Sequence, residues 1–179
     1  AGTHETTFSV VRYGNVMGSR GSVIPFFMAK ANTGVLPITD TRMTRFMITL
    51  EQGVELVWHA FDDMAGGEIY VKKIPSMNIV DIANAVSPGA THKIIGIRPG
   101  EKIHEQMIGS EDAPHTFEYE NHFKILPAIH NWSSDPKRIN GGKPVPEGFT
   151  YISDTNTEWR DGTELQQWIS ANRSKIGAI

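Results

Sequence analysis

The stretch Thr7-Phe8-Ser9-Val10-Val11-Arg12-Tyr13, running into Gly14-Asn15-Val16-Met17-Gly18-Ser19-Arg20-Gly21 and on to Ser22-Val23-Ile24-Pro25-Phe26-Phe27, decides the fold. Its first part is a short, mainly apolar run of the kind that a parallel sheet buries on both faces. Gly14, Gly18 and Gly21 then mark a turn. Ser22 can cap a helix from Val23 to about Ala31, with Pro25 in the first turn. Strand, glycine loop, helix is a ligand-binding order in α/β proteins.

Working outward, the same alternation continues. Gly34 to Thr39 reads as extended. Thr44 to Ile48 reads as a strand, and Thr49 with Gln52 opens an amphipathic helix to about Met64 that Gly66-Gly67 ends. Glu68 to Val71 is a strand, Asn78 to Val86 a helix closed by Pro88-Gly89, and His92 to Ile97 a strand ending at Arg98-Pro99-Gly100-Glu101. Thr116 to Tyr119 and His122 to Leu126 suggest a hairpin, residues 133–157 an irregular stretch. Asp161 with Glu164 boxes the start of a last helix, to about Ser174.

Bulk properties set limits. A chain of 179 residues, 39% hydrophobic and 21% charged, is expected to fold around one core. A net charge of −3 gives no general attraction to nucleic acid or to an acidic membrane, so an anion site must be built from a few Arg or Lys. There is no cysteine, hence no disulfide or thiolate-metal site, which fits a reducing cytoplasm. No apolar run approaches the ~20 residues needed to cross a bilayer. The expected location is cytoplasmic. Ala1-Gly2-Thr3-His4 leads directly into the first strand, which reads as a cut through a larger protein.

Three sets of residues could carry chemistry. The glycine spacing G-x3-G-x2-G is not the dinucleotide fingerprint G-x-G-x-x-G, and a tight turn explains it as well as a phosphate cradle does. Asn15 ends the strand, where its carboxamide could donate to a phosphate oxygen, and Ser19 and Arg20 follow. Arg45, ahead of a helix, and Arg98, closing a strand with Glu101 behind it, carry the planar fork that grips phosphate. Each also reads as an ordinary solvated or ion-paired arginine. The histidines, His4, His59, His92, His104, His115, His122 and His130, show no metal-site spacing. Trp58, Trp132, Trp159 and Trp168 read as core or interface aromatics.

Together, Val11 to Phe27, Pro37-Ile38-Thr39-Asp40-Thr41-Arg42-Met43-Thr44-Arg45-Phe46 and Ile97-Arg98-Pro99-Gly100-Glu101-Lys102 resemble the extended short-chain dehydrogenase/reductases that act on nucleotide sugars. Within that group the likeness is nearest to the C5-inverting UDP-N-acetylglucosamine 4,6-dehydratases of pseudaminic acid biosynthesis. Their tail is echoed by Val145-Pro146-Glu147-Gly148-Phe149 and Ser153-Asp154-Thr155-Asn156-Thr157-Glu158-Trp159. The resemblance covers nearly the whole chain.

The resemblance implies an α/β fold, the C-terminal part of a doubly wound, Rossmann-like enzyme with its smaller substrate-binding lobe. Residues 1–35 would end a truncated dinucleotide-binding domain. Residues 36–179 would be mainly the nucleotide-sugar lobe with returning elements of the sheet. It also implies UDP-N-acetylglucosamine as substrate, NADP as cofactor, no nucleic acid or membrane partner, and a homo-oligomer for the full-length protein. Asn15 would contact the sugar nucleotide, and Pro37, Ile38 and Thr39 would border the uracil. Arg45 and Arg98 would bind the diphosphate, Glu101 would lie near the ribose, and Asn156 would reach in from the tail. Tyr13, Gly14, Val16, Met17, Gly18, Ser19 and Arg20 would lie along the nicotinamide end of NADP.

The family places its glycine fingerprint, its Tyr-x-x-x-Lys pair and its acid/base groups upstream of this opening strand. Four residues after Tyr13, Tyr70, Tyr119 and Tyr151 stand Met17, Ile74, Phe123 and Thr155, so no such pair is present and no catalytic residue is assigned. A UDP-hexose 4-epimerase would share Asn15, Arg45 and Arg98, and a non-catalytic binding module would need nothing more.

Overall fold

The computed structural model describes residues 6–129 and 132–177, so His4 and His130 lie outside the described residues. The chain forms two compact units where the sequence suggests one core. The reason is the path of the backbone, which enters each unit three times and closes a separate apolar cluster in each.

The first unit comprises the residues up to Tyr13 with Glu51–Lys73 and Gln106–Tyr151. Its sheet has five strands, in the order Val10–Arg12, Ile69–Lys72, His122–Ile125, Thr116–Glu118 and Lys143–Pro144. The first pair is parallel, in register Val10↔Ile69, because the connection between them includes the crossover helix Leu50–Asp63. The others are antiparallel, and the expected hairpin is present with Phe123 opposite Glu118. One helix face buries Gly53, Leu56 and Ala60 at helical spacing, Leu56 and Ala60 clustering with Tyr70.

The opening strand differs from expectation. It is confined to Val10–Arg12 at the sheet edge, with Phe8 74% and Val10 52% exposed, so the run that reads as buried on both faces is uncovered. Trp58, expected in a core or an interface, is also exposed and stands beside Phe61 on the outer face of the crossover helix.

Two polar networks fix this unit. Glu68, buried, is paired with Arg138 at 2.7 Å, whose guanidinium lies over the Trp132 ring. Asp63 accepts hydrogen bonds from Lys124 and Tyr70 and from Asn140. The Lys124 ammonium is buried, and such a charge is tolerated only when it is paired.

The second unit comprises Gly14–Leu50, Ile74–Glu105 and the residues from Ile152 onward. Asn15–Val16 runs parallel to Thr44–Ile48, which is antiparallel to Ser76–Asn78; Val35–Ile38 pairs in parallel with Thr91–Ile94. Helices Val23–Lys30, Ile79–Val86 and Gly162–Asn172 close the core through Ile24, Phe27, Ile82, Ala83, Leu165 and Ile169. Asp161 accepts the Glu164 N–H at 2.8 Å, the expected cap, and Asn78 accepts from Val80 N–H in the same way. The expected strand past Thr91 stops at Ile94, and residues 95–105 form a loop.

Acid should loosen the first unit in two stages. Burial, with His59 and Lys124 nearby, pulls His122 down to about 4 from an ordinary 6.5. Its contribution is therefore complete above about pH 6.5 and is lost as pH falls toward 4. Burial alone would raise Asp63, but the hydrogen bonds from Lys124, Asn140 and Tyr70 outweigh it and hold the carboxyl near 2 against a usual 3.8. That contribution is complete above about pH 3.8 and is lost as pH falls through 2. Urea midpoints measured from pH 7 to 2 should decline through both windows, with His122→Gln flattening the first and Asp63→Asn the second.

Candidate functional site

The glycine loop is shaped first by steric need. Gly14 lies against the backbone of Phe46 so closely that a Cβ would collide with it. Gly18 has φ of 76° and packs under Trp168 and Ile176. For these two glycines the tight-turn reading is sufficient. The loop holds Asn15 and Val16 beside the Thr44–Ile48 strand and delivers the chain to the start of the Val23–Lys30 helix.

At that helix start the structure corrects an expectation. Ser22 has the extended backbone of a cap, yet its side chain caps nothing, and its Oγ is buried with no partner. A cap hydroxyl accepts from the N–H of the second or third helical residue, and the third here is Pro25, which has none. Ser22 lines a cavity of about 390 Å³ instead.

The cavity belongs entirely to the second unit, and three segments far apart in sequence build it. The loop and helix start contribute Asn15, Val16, Gly21 and Ser22. The strand region contributes Pro37, Thr39, Met43 and Arg45, and the loop after Ile94 contributes Ile95, Arg98 and Glu101. Phe26, Phe27 and Ile79 complete an apolar wall. The lining thus combines hydroxyl, carboxamide and guanidinium groups with apolar surface, the pattern of a small-molecule site.

The two arginines differ sharply. Arg98 is exposed, and its guanidinium has no partner among the described residues. Its backbone is fixed by Glu101, whose carboxylate accepts the Arg98 N–H at 3.2 Å and whose own N–H donates to the Arg98 carbonyl at 3.0 Å. The Arg45 side chain is only 13% exposed and is held by the chain itself. Nη1 donates to the carbonyls of Thr44 and Ile103 at 2.7 and 2.9 Å, Nη2 to that of Lys102 at 3.0 Å, and Nε faces Glu105 at 3.4 Å.

Beside Arg45, Thr44 Oγ1 lies 2.8 Å from His104 Nδ1 and 2.7 Å from the buried Ser153 Oγ, which also accepts the Glu105 N–H. This triplet ties the 102–105 stretch and the tail to the strand. Both hydroxyls are buried, so neither is presented as a nucleophile.

The remaining expected residues are placed as follows. Ile38 is fully buried in the core between Pro37 and Thr39. Asn156 does not line the cavity; its Nδ2 donates to the carbonyls of Ile74 and Glu158 and contacts Ser76 Oγ at 3.1 Å, and its carbonyl accepts from Trp159. Met17 is buried, Ser19 half-buried, and Arg20 exposed; Tyr13 belongs to the first unit and is exposed. Among the described residues no group of three or more His, Cys, Asp or Glu could hold a metal ion, and no helix is long and apolar enough to cross a membrane.

Asn156→Ala should remove three donor contacts at once and lower stability by about 1 to 3 kcal/mol. Thermal melting checks this, and Arg98→Ala, with no partner to lose, should melt like the parent.

Comparison with known proteins places this geometry. Residues 1–127 match the family model described as polysaccharide biosynthesis protein. The UDP-N-acetylglucosamine 4,6-dehydratase (inverting) of Campylobacter jejuni serotype O:2 is 51% identical over 95% of this chain and 53% of its own length. A UDP-glucose 4-epimerase of Rickettsia canadensis is 42% identical over 81% of this chain and 42% of its own. The crystal structure of Pen from Bacillus thuringiensis superposes with a TM-score of 0.80 at 31% identity, over 96% of this chain and 52% of that one. The chain thus spans about half the length of the curated relatives it matches. With parallel strands, crossover helices and a family model covering most of its length, it belongs to the polysaccharide biosynthesis protein family.

Proposed function

We propose that the chain is the substrate-binding portion of a C5-inverting UDP-N-acetylglucosamine 4,6-dehydratase and that its cavity receives the UDP end of that substrate. The observation that carries this reading is the meeting of Asn15, Ser22, Thr39, Arg98 and Glu101 in one cavity, with Arg98 and Ser22 unpartnered. Diphosphate oxygens need donors without other partners, and the Arg98 guanidinium fork meets that need. Pro37 and Thr39 would flank the uracil, and Glu101 would accept from a ribose hydroxyl. The reading of residues 1–35 as the end of a dinucleotide-binding domain, and of residues 36–179 as mainly the nucleotide-sugar lobe with returning elements of the sheet, belongs to the same proposal.

In the proposed reaction C4 of the sugar is oxidised, the C5 proton is removed, the 6-hydroxyl leaves as water, and C6 receives the hydride, with no net redox change. A bound NADP would supply the hydride acceptance and return. Gly14, Val16, Met17, Gly18, Ser19 and Arg20 are proposed to lie along its nicotinamide end, while no stretch of this chain has the glycine spacing to cradle its pyrophosphate. The residues here bind and orient. The base that takes the C5 proton is assigned to no residue of this chain.

A 4-epimerase is the second reading, motivated by the Rickettsia relative. The dehydratase reading is preferred because that similarity extends over 95% of the chain against 81%. Incubation of the complete polypeptide with UDP-N-acetylglucosamine should yield a 4-keto-6-deoxy product. A 4-epimer without a keto product would establish the second reading. This chain alone should give neither.

Binding tests the site directly. Arg98→Ala should weaken UDP by about ten- to a hundredfold, ~1.5 to 3 kcal/mol, with Arg98→Lys recovering only part. Equal affinity in calorimetry would make Arg98 an ordinary surface arginine.

A further inference from the structure

We propose that His59 and His122 form a binding site for a divalent transition-metal ion of the zinc class, held through the Nε2 atom of each ring and completed by water. The site lies wholly within the first unit and is independent of the UDP reading.

The two rings come from elements far apart in sequence, His59 from the Leu50–Asp63 helix and His122 from the start of the His122–Ile125 strand, so no spacing along the chain reveals them. Their Nε2 atoms stand 3.3 Å apart. Two nitrogens at about 2.0–2.1 Å from a tetrahedral zinc ion are separated by roughly 3.3 Å, so the pair already has the span of one edge of that tetrahedron. The hydrogen bond that an ion would replace is a long one, beyond the roughly 2.7–3.2 Å usual for an N–H donor. Both rings are held by neighbours. His122 is buried and stacks on Tyr119 at 4.5 Å and 4°, and His59, exposed, meets the Tyr70 ring edge-on at 5.7 Å.

A cavity of about 460 Å³ lies against the pair and leaves room for the water ligands. Glu55 and Glu120 also line it, Glu55 one helical turn before His59 and on the same helix face. Their carboxylates offset the charge of a cation. Lys72, on the same wall, opposes it, while Lys124 is already neutralised by Asp63. Among the described residues no carboxylate joins the two rings as a third ligand, so the site has two protein ligands and a roughly micromolar affinity is expected.

A metal takes only the neutral imidazole. Burial, with His59 and Lys124 nearby, holds His122 in that form at neutral pH by pulling it down to about 4. In the hydrogen-bonded pair one Nε2 carries a proton. On binding, that proton moves to Nδ1 of the same ring, so both Nε2 atoms present lone pairs and no net proton is released. Imidazole favours zinc, copper and nickel over calcium and magnesium, which prefer oxygen. A bound ion would tie the crossover helix to the strand and stabilise the folded state by mass action.

Zinc chloride added to this chain after dialysis against EDTA tests the site. In ring-nitrogen NMR spectra the Nε2 resonances of His59 and His122 should move together and saturate at one equivalent of Zn²⁺, with no response to Mg²⁺. The melting midpoint should rise with Zn²⁺. His59→Gln, altering an exposed side chain, should keep the parent's amide spectrum, bind Zn²⁺ at least tenfold more weakly and lose the rise in melting midpoint. Shifts confined to other histidines, no saturable shift at millimolar Zn²⁺, or parent-like affinity in His59→Gln would overturn the proposal. The ring shifts of the parent decide the matter by themselves if the variant does not fold.

Discussion

A single guanidinium, that of Arg45, closed on the carbonyls of Thr44, Lys102 and Ile103, joins the strand at the floor of the cavity to the loop that forms its rim. The floor is the Thr44–Ile48 strand, seated between Asn15–Val16 and Ser76–Asn78, and Gly14 allows the first of these neighbours to come close. The rim is a loop, with Ile95 donating to the Ile38 carbonyl at its start and Ile103 packed on the core near its end. Thr44, through His104 and Ser153, adds a second fastening that draws in the tail. Polar contacts, beside the packing of Ile103 against the core, therefore fasten this loop to the strand. Such contacts depend on direction, so they define the shape of a binding site better than packing alone does.

Much of this was legible in the residues. The Asp161 cap, the Thr116 and His122 hairpin, and the parallel strands around the crossover helix all follow from patterns local to a few residues. The cavity partners were legible only as motifs of a resembling family, since Asn15, Thr39 and Arg98 are separated by long stretches of chain. What the sequence concealed was the use made of each donor. Arg45 and Arg98 look alike as residues, and only the position of carbonyls more than fifty residues away separates the held one from the free one. The contacts of Asn156 with Ile74 and Ser76, and the missing cap bond of Ser22, were hidden for similar reasons. One local signal was available: Pro25 at the third helical position removes one of the two N–H groups that the Ser22 hydroxyl could have capped.

The proposed nucleotide site would also account for a similarity that extends to both a dehydratase and an epimerase. A site for the shared nucleotide does not specify which bond of the sugar is broken. That choice belongs to acid and base groups placed around the hexose, and a fold hosts different chemistries by changing those. In the proposed reading the cavity grips and orients the ligand, while the buried hydroxyls of Thr44 and Ser153, outside its lining, serve the framework.

The central claim is that the second unit forms a site for UDP, and amide chemical-shift mapping during a UDP titration tests it most directly. The account predicts saturable changes at Asn15, Ser22, Thr39, Arg98 and Glu101, with the strands Ile69–Lys72 and His122–Ile125 undisturbed. Saturable changes confined to those strands, or none anywhere at millimolar UDP, would contradict it.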